Sequence, residues 1–182
     1  MQHFDDTVLI ELALSKNDQR AYSELVNRHQ SNLRYSMRQL TDWNEALADD
    51  LVQDAFIQAF KQLHRFRNQA KFSSWLYRIA YNTFLQFARK KKLDTEPIED
   101  QPLEEKQSRF SEDEQESALH QKVAGLLATL KPERRSVLHL FLHRQHTQQE
   151  ISDIMGIPLG SVKTHINRGR QTLQKNLQDW QG

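Results

Sequence analysis

Apolar residues recur every three or four positions along most of this chain, and no strand-like alternation persists over a useful length. That pattern predicts an all-α protein. Residues 5–15 and 18–39 read as two amphipathic helices, capped by Asp5 or Asp6 and by Asp18. Ala21, Tyr22, Leu25, Val26, Leu33 and Met37 form the core face of the second. A third helix runs from about Asn44 to Leu63 and buries Leu47, Leu51, Ala55, Phe56, Ala59 and Phe60. Its other side carries Asp50, Asp54 and Gln58 at i, i+4 and i+8, flanked by Asp49 and Gln53. In the fourth, Phe72, Leu76, Ile79, Ala80, Thr83 and Phe87 point inward, while Trp75, Arg78, Tyr81, Asn82 and Arg89 lie toward the opposite side.

The pattern then breaks. All five glycines fall at or after Gly125 and the first proline is Pro97, so the first 96 residues contain neither helix breaker. From Leu93 to about Phe110 the text becomes LDTEPIEDQPLEEKQSRF, too acidic and too poor in apolar residues to offset its ordering entropy. This reads as a flexible acidic linker spanning about 25 Å on average. Two small helical domains follow from it, residues 1–92 and residues 111–182. In the second, Ser111 and Glu114 form a capping box for a helix through about Thr129 with Ala118, Leu119, Val123, Leu126 and Leu127 inward. Pro132 opens another that buries Val137, Leu138, Leu140 and Phe141.

The most informative local signal is TQQEISDIMGIPLGSVKTHINRGRQTLQ, residues 147–174. Thr147 and Glu150 form a second capping box, Gly156 stops the short helix, and Ile157 and Pro158 lead into the next, with the proline at an early helical position. Ile151, Met155, Ile157, Val162 and Ile166 can then face inward while Ser161, Lys163, Thr164, Asn167, Arg168 and Arg170 line the outside. A helix-turn-helix uses this arrangement to seat its second helix in the DNA major groove.

Charge sharpens the picture, because a net +1 conceals strong segregation. The running balance is −5 over residues 1–54, +9 over 55–93, −8 over 94–116 and +5 over 117–182. Residues 55–93 hold no acid although the chain contains 24. Two basic segments separated by an acidic one point to two contacts with a polyanion. In the first, aromatic residues alternate with cations, from His64, Arg65 and Phe66 to Arg89 and Lys90–Lys92. Cations follow a phosphate backbone and rings offer unpaired bases a stacking surface worth about 1–3 kcal/mol each. Contacts with bases are assigned to the Arg67–Lys71 loop and to Asn82.

Other chemistries find little support. No cysteine is present, which excludes disulfides, thiolate metal sites and cysteine nucleophiles and suits a reducing cytoplasm. MQHFDDTVLIELALSKND lacks a basic leader and its apolar run is cut by Glu11, so neither a signal peptide nor a membrane span is read. His139, His143 and His146 share part of a helix, but no nearby carboxylate or cysteine completes a metal site. No cofactor, metal, catalytic residue or small-molecule substrate is assigned.

Taken in order, ADDLVQDAFIQAF (48–60), FRNQAKFSSWLYRIAYN (66–82), LKPERRSVLHLF (130–141) and TQQEISDIMGIPLGSVKTHINRGR (147–170) resemble the bacterial RNA polymerase sigma factors of the extracytoplasmic-function (ECF) group. The resemblance covers almost the whole chain. It implies a region 2 domain at 1–92, a linker at 93–110 and a region 4 domain at 111–182, in a cytoplasmic, non-enzymatic protein. It further implies that Asp50, Gln53 and Asp54 dock on core RNA polymerase. Arg67, Asn68, Gln69, Lys71, Trp75, Arg78 and Asn82 would contact the opened minus-ten element of promoter DNA, and Ser161, Lys163, Thr164, His165, Asn167 and Arg168 would read the minus-thirty-five element. An anti-sigma factor is expected as a further partner. Gln86 and Phe87 stand where relatives often carry an aspartate ahead of an arginine pair, which bears on melting efficiency. An ordinary helix-turn-helix regulator would share the C-terminal module but has no use for the 64–92 segment or the acidic face at 50–54.

Overall fold

The computed structural model describes residues 4–15, 18–94, 125, 127 and 129–178. Seven α-helices are described: α1 (Asp6–Ser15), α2 (Gln19–Leu40), α3 (Glu45–Gln62), α4 (Phe72–Asp94), α5 (Pro132–Leu142), α6 (Gln148–Met155) and α7 (Leu159–Gln178), with one 3-10 turn at Leu63–Arg65. No strand occurs among the described residues. The expected flexible linker at 93–110 lies outside them except for Leu93 and Asp94, which continue α4. Helix formers run unbroken to that point, with no breaker before Pro97. The helix expected over 111–129 lies outside as well, apart from Gly125, Leu127 and Thr129.

Local chemistry sets the ends. Asp18 accepts from the Arg20 amide at 2.9 Å and Asn44 from the Leu47 amide at 3.0 Å, each satisfying an orphan first-turn donor. α1 is tied down by charge: Arg28 donates to the Phe4 carbonyl at 2.6 Å, and the His29 ring meets Asp6 at 2.7 Å.

α1, α2, α3 and α4 wrap one apolar core in which Leu25, Leu33, Met37, Ala55, Leu63, Leu76 and Ala80 have almost no exposed surface. Two expectations shift. Phe60 is 46% exposed: at the open end of the α2–α3 hairpin, Tyr22 meets it edge-on at 4.9 Å and leaves the rest of the ring uncovered. Tyr81, expected outward, is fully buried because the C-terminal helices cover that side of α4. The apolar cluster runs on without interruption through Val137 and Leu140 of α5 and Ile151, Ile154 and Met155 of α6. α7 closes the C-terminal module by packing on α5. A Cβ at Gly169 would lie 2.9 Å from Leu138 Cγ and 3.0 Å from its Cδ2, so only glycine lets the two helices approach this closely.

Candidate nucleic-acid interface

The helix-turn-helix forms as its residues dictate. The Thr147 amide donates to Glu150 Oε2 at 2.8 Å and the Glu150 amide to Thr147 Oγ1 at 3.2 Å, a reciprocal box that holds the Glu150 carboxyl below its usual range. Gly156 adopts φ 65 and its amide reaches back to the Ser152 carbonyl at 2.9 Å. Ser152, unremarked in sequence, donates its hydroxyl to the Ile157 carbonyl at 2.6 Å and pins the turn. Pro158 sits one position earlier than expected, before the first helical residue. Its carbonyl accepts from the Ser161 and Val162 amides, as a capping residue does.

Ile151, Val162 and Ile166 are buried, which fixes the rotation of α7. Lys163, Thr164, Asn167, Arg168 and Arg170 are exposed as a consequence, with Ser161 and His165 half-buried at the margin. Burial lowers the proton affinity of His165, and Arg134 reinforces the effect, so it faces the outside as a neutral ring.

The second surface is built on α4 and the turn before it. Phe66, Phe72 and Trp75 form a ring cluster with centroids 5.3–5.9 Å apart that anchors the loop from inside. Trp75 is therefore half-buried, with only part of its face available. Arg67, Asn68, Gln69 and Lys71 are exposed, and Asn68 sits at φ 55, a left-handed conformation that asparagine tolerates and that turns the loop outward. A cleft of about 630 Å³ separates this loop from the start of α1, between Asn68–Ser73 and Asp5–Thr7. Arg78 and Asn82 are exposed farther along α4.

A third surface lies between α2 and α3. Asp49, Asp50 and Gln53 line an open groove together with Tyr22, Val26, Phe56 and the exposed Ile57 and Phe60. Asp54 is exposed one turn beyond Asp50. Tyr22 is held by its hydroxyl, which donates to the Phe56 carbonyl at 2.6 Å. Arg34, which pairs with Asp49 at 2.7 Å, and Lys61 also line the groove, so its apolar lining carries both signs of charge.

The histidine trio resolves into something other than a site. His139 is 1% exposed and both ring nitrogens are engaged: the Tyr81 hydroxyl donates to Nδ1 at 2.6 Å, and Nε2 donates to Gln39 Oε1. Its ring stacks on His143 at 5.3 Å. Burial, with Arg135, His143 and His146 nearby, holds it neutral with a pKa near 3. Among the described residues no group of His, Asp or Glu is arranged to hold a metal ion, and no helix is long and apolar enough to cross a membrane.

Known proteins resemble the chain over most of its length. Residues 25–93 match the family model "Sigma-70 region 2" and residues 126–175 match "Sigma-70, region 4". The chain is 33% identical to the ECF RNA polymerase sigma factor SigW of Bacillus subtilis, over 91% of this chain and 94% of that protein. In fold it is similar to CnrH, solved in complex with the cytosolic domain of CnrY, at 26% identity with a TM-score of 0.64, covering 96% of this chain and 97% of that one. It is also similar in fold to the sigma factor RpoE of Bartonella quintana, solved with the anti-sigma factor NepR, at a TM-score of 0.66 and 21% identity, covering 86% and 96%.

Proposed function

Because the chain belongs to the ECF RNA polymerase sigma factors, we propose that it binds core RNA polymerase in the cytoplasm, directs it to specific promoters and helps to melt the minus-ten region. The observation that carries this reading is that one chain presents two separate cationic surfaces on rigid helices, one loop-borne and aromatic-backed, the other on a helix-turn-helix. Single-strand binding needs rings and cations together. Duplex reading needs a recognition helix with its polar face bare.

The roles divide by surface. Ser161, Lys163, Thr164, His165, Asn167 and Arg168 read the minus-thirty-five duplex. Arg67, Asn68, Gln69, Lys71 and Asn82 capture bases of the minus-ten element, with the cleft beside α1 as the receiving space and Arg78 and the open face of Trp75 holding the strand. Opening DNA costs about 1.4 kcal/mol per base-pair step in stacking, so these contacts must recover several such steps. Asp50, Gln53 and Asp54 dock on the polymerase: Asp50 and Gln53 line the groove between α2 and α3, and Asp54 is exposed on α3 one turn beyond Asp50. The domains divide at a linker that follows Asp94, the last residue of α4. An anti-sigma factor is the expected regulator, a reading supported by the fold shared with a sigma factor solved with one.

Core polymerase tests the docking surface directly. Purified chain should co-elute with core polymerase in gel filtration, and Asp50→Arg with Asp54→Arg should abolish co-elution while the helical signal by circular dichroism stays unchanged. Undiminished co-elution of the double variant would contradict the assignment.

A further inference from the structure

The cleft beside α1 is asymmetric in charge. One wall is the loop and first residues of α4, which supply the Asn68 and Gln69 amides and the Lys71 ammonium; the other is the start of α1, which supplies Asp5, Asp6 and Thr7. Ile10 and Phe72, both buried, give it an apolar lining. Its volume of about 630 Å³ is that of a small-molecule site, with room for a base and its sugar.

The two acids of α1 are not equivalent. Asp6 is engaged by the fold: its Oδ2 meets the His29 ring at 2.7 Å and its Oδ1 accepts from the Arg28 guanidinium at 3.4 Å. Asp5 caps the helix, with Oδ1 accepting from the Asp6 amide at 2.8 Å. Asp5 is exposed, and among the described residues it enters no ion pair and nothing donates to its Oδ2. One uncompensated acceptor therefore faces the cleft from α1.

What the cleft admits follows from its charges. A phosphate brought against Asp5 meets like charge, whereas Arg67 and Lys71 attract it to the loop side. The strand's backbone then stays with the loop, and only an uncharged base crosses toward α1. An ionised carboxylate can only accept, so the base edge it meets must donate. The exocyclic amino groups of cytosine, adenine and guanine do this. Thymine has a single ring N–H flanked by two carbonyl oxygens, and a carboxylate that approaches the N–H is set against both.

We propose that Asp5 is a specificity residue of this cleft, selecting at one minus-ten position a base that carries an exocyclic amino group and rejecting thymine. The inference rests on the capture of a minus-ten base by the 67–71 loop: that reading supplies the strand, and the carboxylate on α1 supplies the choice of base.

Asp5→Asn isolates the charge, because asparagine caps a helix as well as aspartate does while its amide can donate to a thymine carbonyl. Holoenzyme formed from core polymerase and the full chain is offered a pool of fork DNA whose nontemplate minus-ten positions are randomised and left unpaired, so that no base differs in melting cost; the upstream duplex comes from a promoter that the holoenzyme opens. Retained strands are sequenced. For the parent, thymine should be depleted about tenfold or more at the captured position, the discrimination of one good base contact. Asp5→Asn should restore thymine there and leave the preferences at every other position, and the helical content, unchanged. Glu11→Gln removes the same charge from an exposed site on α1 outside the cleft and should select as the parent does. A parent with base preferences but no position that rejects thymine, or an Asp5→Asn pool identical to the parent's, would overturn the role of Asp5 while leaving minus-ten capture standing. A parent holoenzyme that retains the pool with no base preference at any position, or retains none of it, would count against minus-ten capture itself, and the inference would fall with it.

Discussion

Acidification should loosen the packing of α5 on α2 and α4 through one residue, His139. His139 is neutral, with its Nε2 proton directed at Gln39 and its Nδ1 lone pair taken by Tyr81, and burial holds its pKa near 3 against an ordinary 6.5. The groups facing it all oppose a second proton or are indifferent to it: Arg135 on its own helix, His143 at that helix's C-cap, His146 in the following loop, the Tyr81 hydroxyl from α4 and the Gln39 amide from α2, with Asp42 engaged by Arg135. A folded-state value below the unfolded one means that the stabilisation is complete above about pH 6.5 and is lost as the pH falls toward 3. At pH 5 the interval already crossed is about 1.5 pH units, or about 2 kcal/mol at 1.36 kcal/mol per unit, close to thirtyfold in the equilibrium. The assay is urea unfolding of the full chain at pH 7.5 and pH 5.0, for the parent and for His139→Gln. His146 and His165, whose pKa values burial also lowers, are present in both and cancel. The parent should lose about 2 kcal/mol more than the variant. Equal losses would refute the buried neutral histidine as a determinant of how α5 packs on α2 and α4.

Two further substitutions probe the C-terminal module. Gly169→Ala puts a methyl against the fully buried Leu138, which has no free side on which to move, so it should destabilise by about 1–3 kcal/mol and lower the melting temperature by several degrees; an unchanged melting curve would show that α7 can shift on α5 without cost. Arg168→Ala removes an exposed cation from the proposed recognition face and should reduce the slope of log affinity against log salt by about 0.9 for duplex promoter DNA. A slope unaltered by that change would remove Arg168 from the phosphate contacts.

What could be read in advance was what is local. The Thr147–Glu150 box, the left-handed Gly156 and the buried Ile151, Val162 and Ile166 all depend on neighbours within one or two turns, and all formed as expected. Each candidate surface on α3, on the 67–71 loop and on α7 likewise emerged on an exposed face, because amphipathic spacing fixes which side turns outward. The long-range partners were not legible. Tyr81 meets His139 across 58 positions, and Gln39 meets it across 100. A second aromatic stripe on a basic helix looks the same in sequence whether DNA or another helix covers it. Phe60 erred in the opposite direction, since periodicity cannot tell that Tyr22 meets its ring edge-on and leaves the residue 46% exposed. Ser152 offered no signal, because a lone serine within a helix is ordinarily solvated surface.

The central claim is that two cationic surfaces and the exposed Asp50–Asp54 face of α3 make this chain a promoter-selecting subunit of RNA polymerase. Transcription reconstituted from purified core polymerase, this chain and a library of genomic fragments measures that most directly. Discrete start sites that require the chain, and that are lost when Asn82→Ala and Arg168→Ala are combined, are the predicted result. A core polymerase that initiates at the same positions with and without the chain would contradict it.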